Sequence, residues 1–309
     1  MKKIFFFFLF VVLFKYCWAQ IPTTEKGKID FYPAFKSRLI PSVDIAVWIP
    51  SNFQSSKKYR VLYLQDGAAL FDAKITWNQQ EWGVDECVDS LIAADKIENV
   101  IVVGIYNSGN KRHASYFPQQ PFEKLNKQNQ AFILNAKRSK DQPLFNSPIY
   151  SDNYLKFITK ELKPFIDKNY PTLKDPKHTA IGGSSMGGLI SLYAICEYPK
   201  IFGAAMCIST HWPGIFESEQ NPFPIAFQQY LIKKLPNPNT HQIYFDYGTA
   251  TLDAIYEPYQ MRINEIMQQK GFSSSNFKSN KYEGAEHNEN AWKARLIDPI
   301  LFLFKKPKQ

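Results

Sequence analysis

Short apolar runs alternate along the chain with longer stretches in which apolar residues recur at helical spacing. The runs Val43–Ile49, Val61–Leu64, Val100–Ile105, Thr179–Gly182, Ala204–Ile208 and Ile243–Tyr247 read as strands, with a last one at Phe277–Tyr282. Helices are expected over Gly83–Ala94, Asp152–Lys168, Met186–Tyr198, Asp253–Lys270 and Ala291–Phe304. The first of these carries Val84, Cys87, Val88 and Leu91 on one face, and Gly271 supplies a C-terminal stop for the fourth. Such alternation predicts an α/β chain with a mostly parallel central sheet and helices on both faces. The first two strands, separated only by Pro50–Arg60, are expected to pair as an antiparallel edge. No internal repeat or low-complexity linker interrupts the pattern, so residues 20–309 read as a single domain. Between Asn107 and Tyr150 the chain turns polar and irregular, an insertion. A surface excursion and a substrate-shaping segment both fit it.

Composition changes this picture chiefly at the N-terminus. The 309 residues include 45% hydrophobic and 21% charged, a globular balance with enough chain for one large core. Lys2-Lys3, the apolar run Ile4–Phe14 and the small residues Cys17 and Ala19 make Met1–Ala19 the pattern of a cleavable signal peptide. A bilayer span takes about 20 residues, so that run is too short to be a stable membrane anchor. Cleavage after Ala19 and a secreted or periplasmic protein are expected. Setting aside Lys2, Lys3 and Lys15 lowers the formal net charge from +9 to +6. The remaining basic residues are scattered and form no nucleic-acid motif, so a nucleic-acid partner is not expected. Cys87, Cys196 and Cys207 are odd in number, lack CxxC spacing and sit in apolar stretches, which predicts buried free thiols.

The chemistry is concentrated in Thr179-Ala-Ile-Gly-Gly183-Ser-Ser185-Met-Gly187-Gly188, which reads strand, tight turn, helix. Gly183-x-Ser185-x-Gly187 fits a nucleophile elbow, in which a strained turn exposes a serine hydroxyl above the sheet. Ser184 does not fit, because Met186 would stand at its second glycine position. A serine hydroxyl needs a base to take its proton, and on this type of sheet base and acid follow the nucleophile in the chain. Of five histidines, His113 and His178 precede Ser185, His211 follows too closely and His241 opens a strand. His287, in the polar loop between the last strand and the last helix, remains as the base. One oxyanion donor is expected from the backbone N–H of Met186 at a helix N-terminus. The second is expected from Ala68, where Asp66-Gly67 turns the chain inward after an early strand. The acid is expected at Asp253, in the loop beyond Ile243–Tyr247, with Asp246 inside that strand as the alternative. Asp66, His211 and Trp212 should border the substrate, Trp212 by stacking on a ring.

Tyr63-Leu-Gln-Asp66-Gly67, Gly183-Ser-Ser185-Met-Gly187-Gly188 and Glu286-His287-Asn288-x-x-x-Trp292 together resemble one esterase family of the α/β-hydrolase fold. It includes esterase D-type enzymes, enterochelin, feruloyl and acetylxylan esterases, and mycolyltransferases. The resemblance runs from about Val43 to Phe304. It implies ester hydrolysis through an acyl-enzyme intermediate, without a metal or organic cofactor. In esterase D-type enzymes the second Asp of Asp-x-Gly-x-x-Asp is catalytic; here Asp246-x-Gly248 is followed by Asp253 two residues later than in that pattern. An exported esterase suggests an acylated carbohydrate, a feruloyl or acetyl ester, or a siderophore ester as substrate. The alternatives are an acyltransferase of the same fold, in which an alcohol replaces water, and a non-catalytic carbohydrate-binding module. Oligomeric state has no signature in the sequence.

Overall fold

The computed structural model describes residues 21–216 and 219–306, so the expected signal segment Met1–Ala19 lies outside the described residues. Ten strands are β1 (Lys28–Phe35), β2 (Val43–Ile49), β3 (Arg60–Gln65), β4 (Val100–Ile105), β5 (Lys137–Ser139), β6 (Gln142–Pro143), β7 (Thr179–Ser184), β8 (Ala204–Ile208), β9 (Gln242–Gly248) and β10 (Phe277–Tyr282). Eight form one sheet in the order β1-β2-β4-β3-β7-β8-β9-β10, and β5 and β6 make a separate hairpin. From β4 to β10 every pairing in that sheet is parallel. The helices are α1 (Val84–Ala93), α2 (Arg112–Tyr116), α3 (Gln119–Glu123), α4 (Lys127–Leu134), α5 (Ser151–Phe157), α6 (Lys163–Asn169), α7 (Met186–Glu197), α8 (Phe223–Lys234), α9 (Glu257–Gln269), α10 (Glu289–Arg295) and α11 (Ile297–Phe304).

Side chains of period two divide the interior into two cores, one on each face of the sheet. Along β3, Val61 and Tyr63 enter the core that holds α5 to α9, whereas Leu62 and Leu64 enter the core under α1 and α11. Along β4, Ile101 and Val103 likewise separate from Val100 and Val102. Burial of each large apolar side chain contributes about 1.5–3 kcal/mol, and both faces must be covered for a parallel sheet to persist.

The expected edge pairing is corrected. β2 pairs antiparallel with β1 and β4, not with β3, because β3 lies inside the sheet between β4 and β7. β1 itself escaped the pattern reading; its KIDFYPAF sequence is interrupted by Pro33 and its residues are half-buried or exposed. Two expected helices are also broken by proline. Pro299 has no N–H to give the Arg295 carbonyl, and the final helix restarts at Ile297. The stretch from Asp253 begins as a 3-10 turn, Thr251–Ile255, and α9 starts anew at Glu257, just before Pro258. Cys196 and Cys207 are buried, Cys87 is half-buried, and all three are free thiols. No helix among the described residues is long and apolar enough to cross a membrane.

Candidate active site

The parallel strands all end on one side, and there Asp66, Asn107, Ser185, His211 and His287 line a common cleft of about 740 Å³. A larger groove, about 1140 Å³, opens at the opposite ends of the strands beside Arg60, Lys177 and Asn276 and holds none of these residues. The candidate site is therefore the smaller cleft, where the chemistry is gathered.

Ser185 stands between β7 and α7 with φ 56° and ψ −122°, a backbone conformation a non-glycine residue rarely adopts. Such a turn projects the side chain out of the sheet toward the cleft. Close passage of the two elements explains the neighbouring glycine: a Cβ on Gly183 would lie 2.8 Å from the Gly187 carbonyl carbon and 2.9 Å from Gln65 Cβ. Met186 opens α7 beside the serine, so its N–H belongs to the unpaired first turn of a helix. Ala68 lines the cleft as well. The turn that presents it differs from expectation in one respect. Asp66, with φ 56°, takes the left-handed conformation, while Gly67 is required for space: a Cβ there would meet Tyr106 at 2.5 Å and Gly104 at 2.8 Å.

His287 Nδ1 lies 2.5 Å from Asp253 Oδ1. A carboxylate can only accept, so Nδ1 carries the proton and Nε2 is left as the basic nitrogen. Asp253 is almost wholly buried, and its other oxygen accepts from Ser209 Oγ at 2.5 Å and from the Gly248 N–H at 2.6 Å. Burial opposes ionisation of this carboxyl, but the bonds from His287, Ser209 and Gly248 outweigh it and hold its pKa below the usual range. The loop between Gly248 and Asp253 is tied to the loop that carries His287. Thr251 accepts the His287 backbone N–H at 2.8 Å, and the N–H groups of Thr249 and Ala250 donate to the Ala285 carbonyl. The loops carrying Asp253 and His287 are thus stapled to each other.

Asp246 is placed elsewhere. It pairs with Arg295 Nη2 at 3.1 Å and accepts from the Ser209 N–H at 3.3 Å, with its pKa raised to about 6, mainly by burial. Arg295 Nη2 also donates to Ser209 Oγ at 2.7 Å, and Trp292 Nε1 donates to the same oxygen at 3.0 Å. Ser209, Trp292 and Arg295 thus form a buried brace behind Asp253. The bonds that join Ser209 and Arg295 behind Asp253 had no signal in the sequence.

The residues expected to border substrate fall into three situations. Asp66 is in the cleft, but Arg112 grips both its oxygens at 2.7 Å and Asn107 Nδ2 adds a bond at 2.8 Å. His211 lines the cleft with its ring nearly buried and its Nδ1 2.7 Å from Tyr256 Oη. Trp212 is a correction: it is 2% exposed, and its ring packs between Phe227 and Phe245 in the core. Its apolar surface finds α8 and β9, so no face is left for a ligand. The aromatic side chain that does stand free at the cleft is Trp77, 93% exposed, with Ile75 and Phe216 nearby on the lining. The polar segment 107–150 also contributes, through Asn107, Arg112, His113 and Arg138. Among the described residues no group of three His, Cys, Asp or Glu side chains is arranged to hold a metal ion.

Comparison with known proteins agrees with this architecture. The family described as "Putative esterase" matches residues 37–303. The uncharacterized protein YbbA of Bacillus subtilis (strain 168) is 24% identical over 264 residues, covering 83% of this chain and 90% of that protein. The solved structure of an IroE-like serine hydrolase from Shewanella oneidensis superposes with a TM-score of 0.66 at 20% identity, covering 90% of this chain and 80% of the other. A ferulic acid esterase superposes with a TM-score of 0.63 at 19% identity, covering 91% and 99%. At such identities the solved structures establish a shared fold, whereas the family match extends over most of the sequence. The chain belongs to this esterase family and is an ester hydrolase of the α/β-hydrolase fold.

Proposed function

We propose that the protein is a serine esterase in which Ser185 is the nucleophile, His287 the general base and Asp253 the acid that orients it. The contact between His287 Nδ1 and Asp253, in the cleft that also exposes the elbow serine, carries this reading. In the first step Ser185 Oγ bonds to the acyl carbon, its proton passes to His287 Nε2, and the carbonyl π electrons move to oxygen. The N–H groups of Met186 and Ala68 are the donors assigned to that oxygen. Collapse expels the alcohol with the proton from His287, and water repeats the sequence to free the acid. Asp253 stays ionised throughout and stabilises the imidazolium.

The substrate assigned to this cleft is an ester bearing a ring, an acylated carbohydrate or a feruloyl-type ester. Exposed Trp77 and Phe216 offer apolar faces for it, and the fold neighbour named a ferulic acid esterase supports the assignment. Residues 20–309 act as one unit, with 107–150 shaping the cleft, and the signal pattern in Met1–Ala19 supports export. The test is incubation of purified protein with p-nitrophenyl acetate, methyl ferulate and an acetylated xylo-oligosaccharide, followed by peptide mapping after treatment with a p-nitrophenyl alkylphosphonate. Turnover and a single adduct on Ser185 are expected. No turnover of any ester with no adduct would point to a binding module, and acceleration by added alcohols to acyl transfer.

A further inference from the structure

The turn that presents Ala68 is held from outside by the polar segment that follows β4. Asp66 leaves β3 in the left-handed conformation, φ 56° and ψ 47°, which a residue with a side chain keeps only where its surroundings hold it. Two residues of α2, one helical turn apart, supply that hold. Arg112 Nε donates to Asp66 Oδ1 and Arg112 Nη2 to Asp66 Oδ2, each at 2.7 Å. Tyr116 Oη accepts the Asp66 main-chain N–H at 3.3 Å, and the Arg112 guanidinium lies 5.0 Å from the centre of the Tyr116 ring. Asn107 Nδ2 donates to Asp66 Oδ1 at 2.8 Å, while its own Oδ1 accepts the Gly109 N–H at 3.0 Å. The clamp also faces the elbow: a Cβ on Gly187 would lie 3.3 Å from Asp66 Oδ2, the oxygen that Arg112 Nη2 holds. The turn carrying Ala68 is thus set against the first turn of α7, which carries Met186.

We propose that Arg112 is a positioning residue for the oxyanion hole: its two-pronged grip on Asp66 fixes the turn from which the Ala68 N–H donates. The inference rests on the assignment of Ser185 as nucleophile and of Ala68 as an oxyanion donor. Gly67 and Ala68 follow Asp66 directly, so rotation about the Asp66 backbone swings the Ala68 N–H away from the serine. A planar guanidinium bonded to both oxygens fixes the plane of the carboxylate as well as its place, which a single ammonium contact does not. Stability alone gives little reason for the pair. Both side chains are partly exposed, 25% for Arg112 and 18% for Asp66, and exposed ion pairs contribute little. A donor aimed at charge that develops only in the transition state acts on kcat and not on ground-state binding. Segment 107–150, which supplies Asn107, Arg112 and Tyr116, thereby becomes part of the catalytic apparatus and not only a wall of the cleft.

The test uses neutral p-nitrophenyl acetate as substrate and an alkyl trifluoromethyl ketone as a mimic of the tetrahedral intermediate. In the ketone adduct Ser185 Oγ bonds to the carbonyl carbon, its proton passes to His287, and the carbonyl oxygen carries the negative charge. Arg112→Met is expected to lower kcat by about 10- to 100-fold, short of the roughly 10²–10³-fold that loss of a whole oxyanion donor costs. Affinity for the ketone should fall by a similar factor, while KM stays within about twofold. Arg112→Lys, which keeps the charge without the fork, should lie between wild type and Arg112→Met. Asp66→Asn combined with Arg112→Met should be no slower than the slower single variant, because both loosen one contact. A lowered melting temperature with wild-type kcat and ketone affinity would reduce the pair to a structural role and overturn the inference. A raised KM with unchanged kcat would assign Arg112 to substrate binding and overturn it as well. If Arg112→Met does not fold, Tyr116→Phe takes its place, removing only the hydroxyl that accepts the Asp66 N–H. Its kcat and ketone affinity should fall together by about 2- to 10-fold, the worth of one neutral hydrogen bond, and wild-type values would overturn the inference. Absence of a phosphonate adduct on Ser185 in the wild-type protein would reject the nucleophile assignment, and the inference with it. With that adduct present, wild-type behaviour of the variants rejects the inference alone.

Discussion

The two sides of the cleft are built differently. On the acid side every polar atom of Asp253 is engaged, and the groups that engage it are themselves held. Ser209 receives Trp292 and Arg295, and Arg295 pairs with Asp246, all within the protein interior. On the rim, Trp77 stands 93% exposed and Phe216 45% exposed, on loops rather than strands. Hydrogen-bonded atoms in a medium of low dielectric cost little to reorganise during reaction and are expensive to leave unpaired. Exposed rings have no such constraint and adapt to what they touch. Chemistry is thus assigned to strand ends and their braces, and recognition to the rim. Perturbations of the first side should act on kcat, and of the second on KM.

Ser185→Ala gives the largest expected effect. Removing one cleft-facing oxygen should lower turnover by roughly 10⁶-fold, the loss seen when a triad nucleophile is deleted, while the protein remains folded. Wild-type turnover in Ser185→Ala, with loss in Ser184→Ala, would show that the elbow serine has been misassigned. Asp253→Asn follows. The amide keeps the shape but removes the acceptor that fixes the His287 tautomer, so turnover should fall by about 10⁴-fold by analogy with the equivalent protease change. Asp246→Asn tests the contrast within the same brace. If it is the dead enzyme and Asp253→Asn is active, the roles of the two carboxylates must be exchanged.

How far this asymmetry was legible in the sequence depends on how local each signal is. The elbow is written in consecutive residues, and the steric need at Gly183 follows from where strand and helix must pass. His287 followed from chain order and loop position. Asp253 was chosen with the strand end at Gly248 as a landmark, and in the loop between them the Thr251 hydroxyl accepts from the His287 backbone N–H. The contacts made by Ser209, Tyr256 and Arg295 had no local signal, because their partners lie 44 to 86 residues away in sequence: 44 for Ser209 with Asp253, 45 for His211 with Tyr256, and 86 for Ser209 with Arg295, against 34 for His287 with Asp253. Strand order failed for the same reason: nothing in β2 or β3 records that β4 intervenes. Trp212 was assigned to substrate because it follows a strand end, but only packing decides which way a side chain turns there.

The interior charges make a prediction of intermediate size, with signs that differ between groups. His211 has a folded pKa pushed down to about 3, below its ordinary 6.5, so the folded state binds fewer protons than the unfolded state between those values. Its contribution is fully present above pH 6.5 and is lost as pH falls toward 3, by up to ~1.4 kcal/mol per pH unit. Asp246 is raised from 3.8 to about 6, so its contribution is present below 3.8 and lost as pH rises through 6. Denaturant unfolding at several pH values should therefore show wild type losing stability relative to His211→Asn on acidification. Relative to Asp246→Asn, it should gain stability over the window from 6 to 3.8. Parallel pH curves for wild type and both variants would mean that neither group is buried in the form described.

The smallest expected effect lies on the rim and separates the two sides most cleanly. Trp77 is 93% exposed at the cleft, and no ring in the protein packs on it, among the described residues. Removing it costs the fold almost nothing, so thermal stability of Trp77→Ala should match wild type. A stacked ring pair contributes about 0.5–1.5 kcal/mol, which corresponds to roughly a 2- to 13-fold change in affinity. Trp77→Ala should therefore raise KM for methyl ferulate by a factor in that range while kcat stays close to wild type. p-Nitrophenyl acetate, whose acyl group has no ring to stack, serves as the control and should change less. A fall in kcat for both substrates would place Trp77 with the catalytic brace instead. Equal, unchanged KM values for both would remove the aromatic rim from recognition and with it the argument for a ring-bearing acyl group.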